Sequence, residues 1–429
     1  MIMDDARDPN YRPSKMAKRP PKCRICDAGL HTVLDLGRQP RADAFRSPDD
    51  STPEYMFDLQ LGLCESCGAV QLVDEVPAEL MFNASYPFRT STSQRMQRHF
   101  RDTAMSLLKS EVHTHTKPFM VEFGCNDGTF LTPLAEAGVA HLGVDPAANL
   151  VAEAVSRGIN AQSGWFNADT ASSILSAHRS ATVIYAANTL CHISDLASVF
   201  VGVDVLLAKD GCFVFEDPYL GDIVEIGAFD QIYDEHIHYF TATSIDVIAR
   251  KHGLALIDAQ PLDTHGGQLR YTVARPHQKR TKAVEALLET ERRMELHSRA
   301  RLGHFASVVE SRREELTSTL EALSNDGKRI AGYAATAKSA TVLNYCGIDS
   351  ALLSVIYDTT PEKHGRLAPG TGIPIEPFPT SVDDYPDIFL LLAWNHAREI
   401  AAREPEFAAR GGMWLQYIPG VKLTKDPVA

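Results

Sequence analysis

The chain has 429 residues, 44% hydrophobic and 23% charged, an ordinary globular composition with length for about three domains. Its formal charge of −13, with no basic tract beyond the short segment Lys15–Lys22, argues against a nucleic-acid partner. A nucleotide held in a local cationic pocket is still compatible with that charge.

No apolar run approaches the roughly 18 residues of a membrane span, so no membrane partner is expected. The N-terminus Met-Ile-Met-Asp-Asp-Ala-Arg lacks a signal-peptide core, and eight cysteines in so long a chain are no disulfide scaffold. A cytoplasmic protein is expected, in which cysteine spacing points to metal. Residues 1–22 are polar and proline-rich and read as a disordered tail. Cys23-Arg-Ile-Cys26 comes next, then, after 37 intervening residues, Cys64-Glu-Ser-Cys67. Two C-x-x-C turns supply four thiolates, enough to close a tetrahedral structural zinc site in a small domain, 23–76. A redox pair would sit at a strand–helix junction and would not come twice. Alternating Leu59, Leu61 and Leu63 predict a ribbon strand before the second pair. Tyr86 to Ser93 is a hydroxyl-rich loop, either a connection or a lid over the neighbouring domain, and a helix is expected over about 94–109.

From Pro118 to about 277 strands alternate with helices, the pattern of a parallel sheet covered on both faces. The first expected strand, 119–123, runs into Glu122-Phe-Gly124-Cys-Asn126-Asp127-Gly128. This is neither G-x-G-x-x-G nor a Walker loop, and Glu-x-Gly-x-x-x-Gly resembles the first motif of class I S-adenosylmethionine methyltransferases. Asp145 ends the next strand, where a ribose-binding carboxylate usually lies. Phe166, in Ser163-Gly-Trp-Phe166, is an aromatic that could pack on adenine. Strand 181–186 ends at Asn188, with His192 just beyond, and strand 211–216 ends at Asp217. Ligands of such sheets gather at the carboxyl ends of the strands, so these groups are expected on one rim.

Phe229 to Thr241 packs two histidines, three acids and two tyrosines into thirteen residues. Glu235, His236 and His238 could bind zinc, but the cysteine pairs already account for a metal and the motif is not H-E-x-x-H. General acid–base chemistry suits the segment better, with His236 as the base oriented by Glu235; an ordinary polar loop is the bland alternative. Residues 278–325 read as one or two linker helices. From 326 to 429 a second α/β pattern begins, a Rossmann-like domain with Lys338 at a helix start, suited to phosphates, or a cofactor-free dimerisation domain.

These landmarks together resemble the sugar C-methyltransferases of antibiotic deoxysugar pathways, from about Cys23 to Pro419. They include both C-x-x-C pairs, the Leu-Asp-Leu-Gly-Arg-Gln-Pro stretch, Tyr86 to Ser93 and the Gly128 turn. Asn188 with His192, Tyr233-Asp-Glu-His236, His265-Gly-Gly267, Ala334–Lys338, Pro369 to Ile375 and Ala393-Trp-Asn395 complete the set. The resemblance implies a monomer of three domains that binds S-adenosylmethionine and structural zinc. It implies a nucleotide-linked 4-keto sugar, with dTDP as carrier, methylated at C3 through an enolate. His236 would be the base, Tyr233 and His192 donors to the oxyanion, and Tyr86 a closing group. Lys338, Lys363, Asn395 and His265 would meet the sugar nucleotide. Two positions depart from the family: Asp234 stands where a further His is frequent, and Gln268 where Ser is usual. An O- or N-methyltransferase, or a binding module with a vestigial methyltransferase fold, are the rival readings.

Overall fold

A computed structural model describes residues 21–83, 86, 88–111, 117–264 and 266–428. Residues 1–20 of the expected tail and His265 lie outside the described residues. The last two tail positions belong to the fold: Lys22 bridges Gly29, and Pro21 O accepts from Leu30 N at 2.9 Å.

Strands β1 (His31–Pro40), β2 (Met56–Leu63) and β3 (Val70–Leu72) form an antiparallel ribbon behind the cysteine pairs. The central sheet begins with β4 (Phe119–Phe123), β5 (Ala140–Asp145), β6 (Ala161–Ser163), β7 (Ala181–Ala187) and β8 (Leu207–Pro218). Every residue of β4, and every residue of β7 but the last, is buried, because helices cover both faces of a parallel strand. Next comes β9 (His238–Tyr239), which leaves the central sheet and pairs with β3. The sheet of the zinc-ribbon region is thus β1-β2-β3-β9, not confined to 23–76. Backbone pairing to a two-residue segment leaves almost no sequence signal.

β10 (Ala255–Leu262) and β11 (Gln268–Ala274) complete the central sheet, whose order is β10-β11-β8-β7-β4-β5-β6. The five strands β8-β7-β4-β5-β6 are parallel, and β11 is inserted between β8 and the edge strand β10. β11 runs antiparallel to both neighbours, so the sheet is mixed and not purely parallel as expected. The short link between β10 and β11 dictates this, since a parallel return needs a crossover of a dozen or more residues.

Helices Lys282–Arg293 and Arg299–Asn325 lead to a third sheet. Its strands are β12 (Ile330–Tyr333), β13 (Ile356–Tyr357), β14 (Ile375–Glu376), β15 (Ile388–Leu391), β16 (Met413–Gln416) and β17 (Lys422–Thr424). The order β14-β13-β12-β15-β16-β17 is Rossmann-like, parallel except for the last strand. The three units converge. Gly370 N donates to Glu54 Oε2 at 2.7 Å, Leu367 bridges Arg46, and Thr341 Oγ1 donates to Ile232 O at 2.8 Å.

Candidate active site

The β4–turn junction is built by backbone geometry. Gly124 has φ +68°, and a Cβ there would lie 2.1 Å from Thr189 Oγ1, so a side chain is excluded twice over. Asn126 also has positive φ, and its N donates to Asp145 Oδ2 at 2.8 Å. Asp145 Oδ1 accepts from Ala147 N at 2.8 Å, so this carboxylate holds the glycine turn against β5 while keeping lone pairs for a further donor. Glu122 is buried, and its Oε2 has no hydrogen-bond partner among the described residues. Burial, with the charges of Asp145 and Asp127, pushes its carboxyl well up. At the β7 end Asn188, again at positive φ, accepts through Oδ1 from Gln268 Nε2, and Gln268 Oε1 accepts from Thr264 Oγ1 at 2.6 Å. Gln268, one of the two departures, therefore braces Asn188 at the end of β7.

The Tyr86–Ser93 loop is docked over this turn. Thr90 N donates to Asn126 Oδ1 at 3.0 Å, Ser91 N to Asp127 Oδ2 at 3.1 Å, and Asn126 Nδ2 to Phe88 O at 3.1 Å. Arg89 pairs with Glu153 at 2.7 Å, and Asn149 Nδ2 donates to Tyr86 O at 3.2 Å. Asn126 and Asp127 thus hold the loop that covers the glycine turn. Phe166 is a correction: it stacks on Phe123 at 4.5 Å in the core, and the exposed aromatic beside it is Trp165, 6.4 Å from the Phe82 ring. One position separates a rim residue from a core residue where the chain leaves a strand.

Cys23, Cys26, Cys64 and Cys67 place their sulfurs within 4.8 Å of one another, with Cys23–Cys67 at 3.6 Å and Cys26–Cys64 at 3.4 Å. These separations are too long for disulfides, of about 2.05 Å. They fit the edges of a ZnS₄ tetrahedron, about 3.8 Å for Zn–S bonds of about 2.3 Å. The hydrogen bond from Cys67, chiefly, draws Cys23 down, while that same bond raises Cys67 and burial raises Cys26, so the case for metal rests on the sulfur geometry.

The segment after β8 carries the reactive groups. His236 Nδ1 lies 3.0 Å from Gln231 O, and its Nε2 lies 2.8 Å from the Tyr233 hydroxyl. A carbonyl can only accept, so Nδ1 carries the proton, and Nε2 presents a lone pair to the Tyr233 O–H. The His192 ring stacks on His236 at 5.3 Å and on Phe82 at 5.3 Å. Burial pushes His192 down to about 4, so it is neutral at physiological pH, and its Nε2 has no hydrogen-bond partner among the described residues. Ile237 N donates to Cys191 O at 2.7 Å and Leu72 N to Ile237 O at 2.8 Å, which clamps the residue after His236 between β3 and the His192 turn.

Glu235 does not orient His236. Gln231 and Tyr233 engage the two ring nitrogens, while Glu235 accepts from Tyr86 Oη at 3.5 Å and hydrogen-bonds the Asp43 carboxyl. Burial first, then Asp43 and Asp234, drives the Glu235 carboxyl well up, and burial likewise raises Asp43; a hydrogen bond between two carboxyls needs a proton on one of them. A cavity of about 150 Å³, lined by Arg41, Asp43, Tyr86, Asp234 and Glu235 among others, opens beside them. Adjacent residues on an irregular segment point different ways, so sequence neighbourhood misassigned Glu235. His238, weighed as a ligand, is buried in β9 and stacks on Phe240 at 5.7 Å. Among the described residues, Cys191, His192 and His236 form the other grouping with ligand-like spacing.

Asp43 and Phe82 were missed. Asp43 lies in the Gln-Pro-Arg-Ala-Asp stretch whose other residues drew notice, and Phe82 precedes the loop that did. Asp234, the other departure, accepts from Ala42 N at 3.2 Å through Oδ2 and so ties the ribbon loop to the catalytic segment. Burial pushes it from 3.8 up to about 7. Between those values the unfolded chain sheds a proton that the folded chain keeps. Stability therefore falls as pH rises through that window, and the loss is complete above it. Asp234→Asn keeps the acceptor and removes the ionisation. Its melting temperature is expected to exceed that of the parent at high pH and to converge with it at the acid end. An advantage independent of pH in thermal melts would contradict this.

On the C-terminal side, Lys338 opens the helix Ala337–Tyr345 behind a Thr336–Ser339 capping box, its Nζ 6.0 Å from the Trp394 ring. Lys363 Nζ donates to Ala335 O at 2.6 Å and sits 5.0 Å from the Phe45 ring. Asn395 lies in the short turn Trp394–His396. Lys363 thus contacts both the Ala335 turn and the ribbon loop.

Three family models match successive stretches: "Putative zinc binding domain" over 23–82, "Methyltransferase domain" over 96–259 and "C-methyltransferase C-terminal domain" over 263–419. The C-methyltransferase NovU of Streptomyces niveus is 32% identical over 404 residues, covering 93% of this chain and 95% of its own. The chain belongs to the sugar C-methyltransferase family. The enzyme is an S-adenosylmethionine-dependent C-methyltransferase with an N-terminal zinc-binding unit. Its rim suits the donor: the buried, unsatisfied Glu122 oxygen calls for a cationic or N–H-bearing group, which the methionine end of S-adenosylmethionine has. Among solved structures, an S-adenosylmethionine-dependent methyltransferase of Clostridium acetobutylicum is 14% identical over 42% of this chain and 92% of its own, TM-score 0.34. The CcbJ methyltransferase of Streptomyces caelestis is 16% identical over 41% and 89%, TM-score 0.33. The fold rests on the strand order and the family models, not on these superpositions. No helix among the described residues is long and apolar enough to cross a membrane.

Proposed function

We propose that the enzyme methylates C3 of a nucleotide-linked 4-keto deoxysugar through an enolate, with His236 as base. The observation that carries this is the His236 Nε2 lone pair, held by Gln231 O and capped by a tyrosine hydroxyl beside a neutral histidine. Carbon needs such a base because a C–H bond becomes acidic only next to a carbonyl, and the developing enolate needs donors at its oxygen. His236 would take the C3 proton once the sugar displaces the Tyr233 hydroxyl from Nε2. Tyr233 and His192 would then donate to the C4 oxygen, each such donor being worth about 10²–10³ in rate. A neutral His192 still carries one ring N–H, which would be the donor in this role. Bound S-adenosylmethionine supplies an electrophilic methyl group on a sulfonium.

Tyr86, hydrogen-bonded to Glu235 and backed by Phe82 at 5.4 Å, would close the site from the cofactor loop. Lys338, Lys363 and Asn395 would hold the diphosphate and nucleotide, dTDP being the carrier proposed, in a cytoplasmic, monomeric enzyme of three domains. The test uses a dTDP-4-keto-deoxysugar deuterated at C3. C-methylation there requires deuterium to be lost in the product. Retention of the label in a methylated product would transfer the reading to O- or N-methylation.

A further inference from the structure

Asp230 is fully buried in the turn Phe229–Gln231, one residue before the carbonyl that holds His236. Its Oδ2 accepts from Trp394 Nε1 at 2.6 Å and from the Tyr417 hydroxyl at 2.9 Å. Both donors belong to the C-terminal unit: Trp394 lies beyond the end of β15, and Tyr417 follows β16. The charge of Lys338 also acts on this carboxylate. On either side the segment is tied to the same unit. Arg312 donates to Gly227 O at 2.8 Å and also bonds Pro419 O, while Thr341 holds Ile232 O. The Trp394 ring in turn packs against Gly266, where a Cβ would lie 2.5 Å from Cη2.

We infer that Asp230 is a positioning residue. It clamps the turn Phe229–Gln231 onto Trp394 and Tyr417, so that Gln231 O keeps the proton of His236 on Nδ1 and the lone pair on Nε2. The chain of contacts runs from the unit read as the nucleotide holder, through one carboxylate oxygen and one peptide carbonyl, to the base. Losing that oxygen strands two buried donors, and the turn must shift to re-satisfy them. Displacements of about 1 Å in a reacting group cost about 10²-fold in rate. A residue that merely supported the fold would leave the tautomer of His236 unchanged. The inference rests on the reading of His236 as base for its effect on rate, whereas its effect on the tautomer needs no substrate.

The experiment records long-range proton–nitrogen spectra of the ¹⁵N-labelled full-length zinc-loaded enzyme, the His236 signals being assigned with His236→Gln. The parent should show one protonated and one bare ring nitrogen, with Nδ1 protonated. Asp230→Ala should lose that pattern and lower kcat about 10–10²-fold, with S-adenosylmethionine affinity by calorimetry unchanged. Asp230→Asn keeps an oxygen where both donors point and should restore pattern and rate. An Ala variant with the parental tautomer and rate overturns the inference, as does an Asn variant no better than the Ala one. Should Asp230→Ala not fold, Trp394→Phe and Tyr417→Phe each remove one donor. Both must then disturb the tautomer, and an undisturbed tautomer in either overturns the clamp. Failure of the base assignment reads differently: His236→Gln would retain turnover whatever the spectra show.

Discussion

Replacing His236 with glutamine is expected to lower kcat by about 10²–10⁴-fold, the range a general base contributes, with S-adenosylmethionine binding unchanged. The separation follows from the layout. The proposed cofactor rim comprises Glu122, the Gly124–Gly128 turn, Asp145 and Asn188 at the ends of β4, β5 and β7, whereas His236 hangs from the segment between β8 and β9. Glutamine fills similar space but offers no basic nitrogen. Rapid-quench turnover and calorimetry on the same preparation decide the matter. Near-parental kcat with intact cofactor binding would remove His236 from the chemistry. The companion Tyr233→Phe then distinguishes donor from base: it frees Nε2, so only the oxyanion contribution should be lost.

The legible part of this molecule was what local pattern dictates. Apolar runs ending in a glycine turn located β4, and the acid about twenty residues on located the end of β5, because strand and turn requirements are written in neighbouring residues. Paired C-x-x-C turns gave the metal centre for the same reason. What stayed hidden is set by tertiary packing. No periodicity says that His238 and Tyr239 pair with Val70 and Gln71, since two residues cannot show a period. Nor does adjacency to His236 say that Glu235 turns toward Asp43, almost two hundred residues earlier in the chain. Phe166 shows the limit at finer grain: sequence located an aromatic pair at the rim, and only packing told that Phe166 stacks on Phe123 while Trp165 faces out.

The pairing of β9 with β3 links the cysteine cluster to the segment proposed to carry the base. Cys64 and Cys67 close the turn between β2 and β3, and β3 holds Ile237 through Leu72 N and pairs with His238. The loop between β1 and β2 reaches the same segment through Ala42 N on Asp234 and through Asp43 on Glu235. Metal bound by four protein thiolates contributes its binding free energy to folding of the ribbon, so stripping it should unfold that sheet first. The expected result of exhaustive chelation, or of Cys64→Ser, is loss of about 10²-fold or more in kcat, as for a misplaced catalytic group. The class I sheet should survive, with S-adenosylmethionine affinity retained, because no rim residue lies in the ribbon. Cobalt, which accepts the same tetrahedral thiolate set, should restore the parental rate, since a closed site has no open position at which the metal could act on substrate. Zinc content by atomic absorption, read beside kcat and calorimetry, checks each step. A zinc-free enzyme with normal kcat would show that β9 holds the catalytic segment unaided. A rate that changes with the identity of the restored metal would show that the metal takes part in the chemistry.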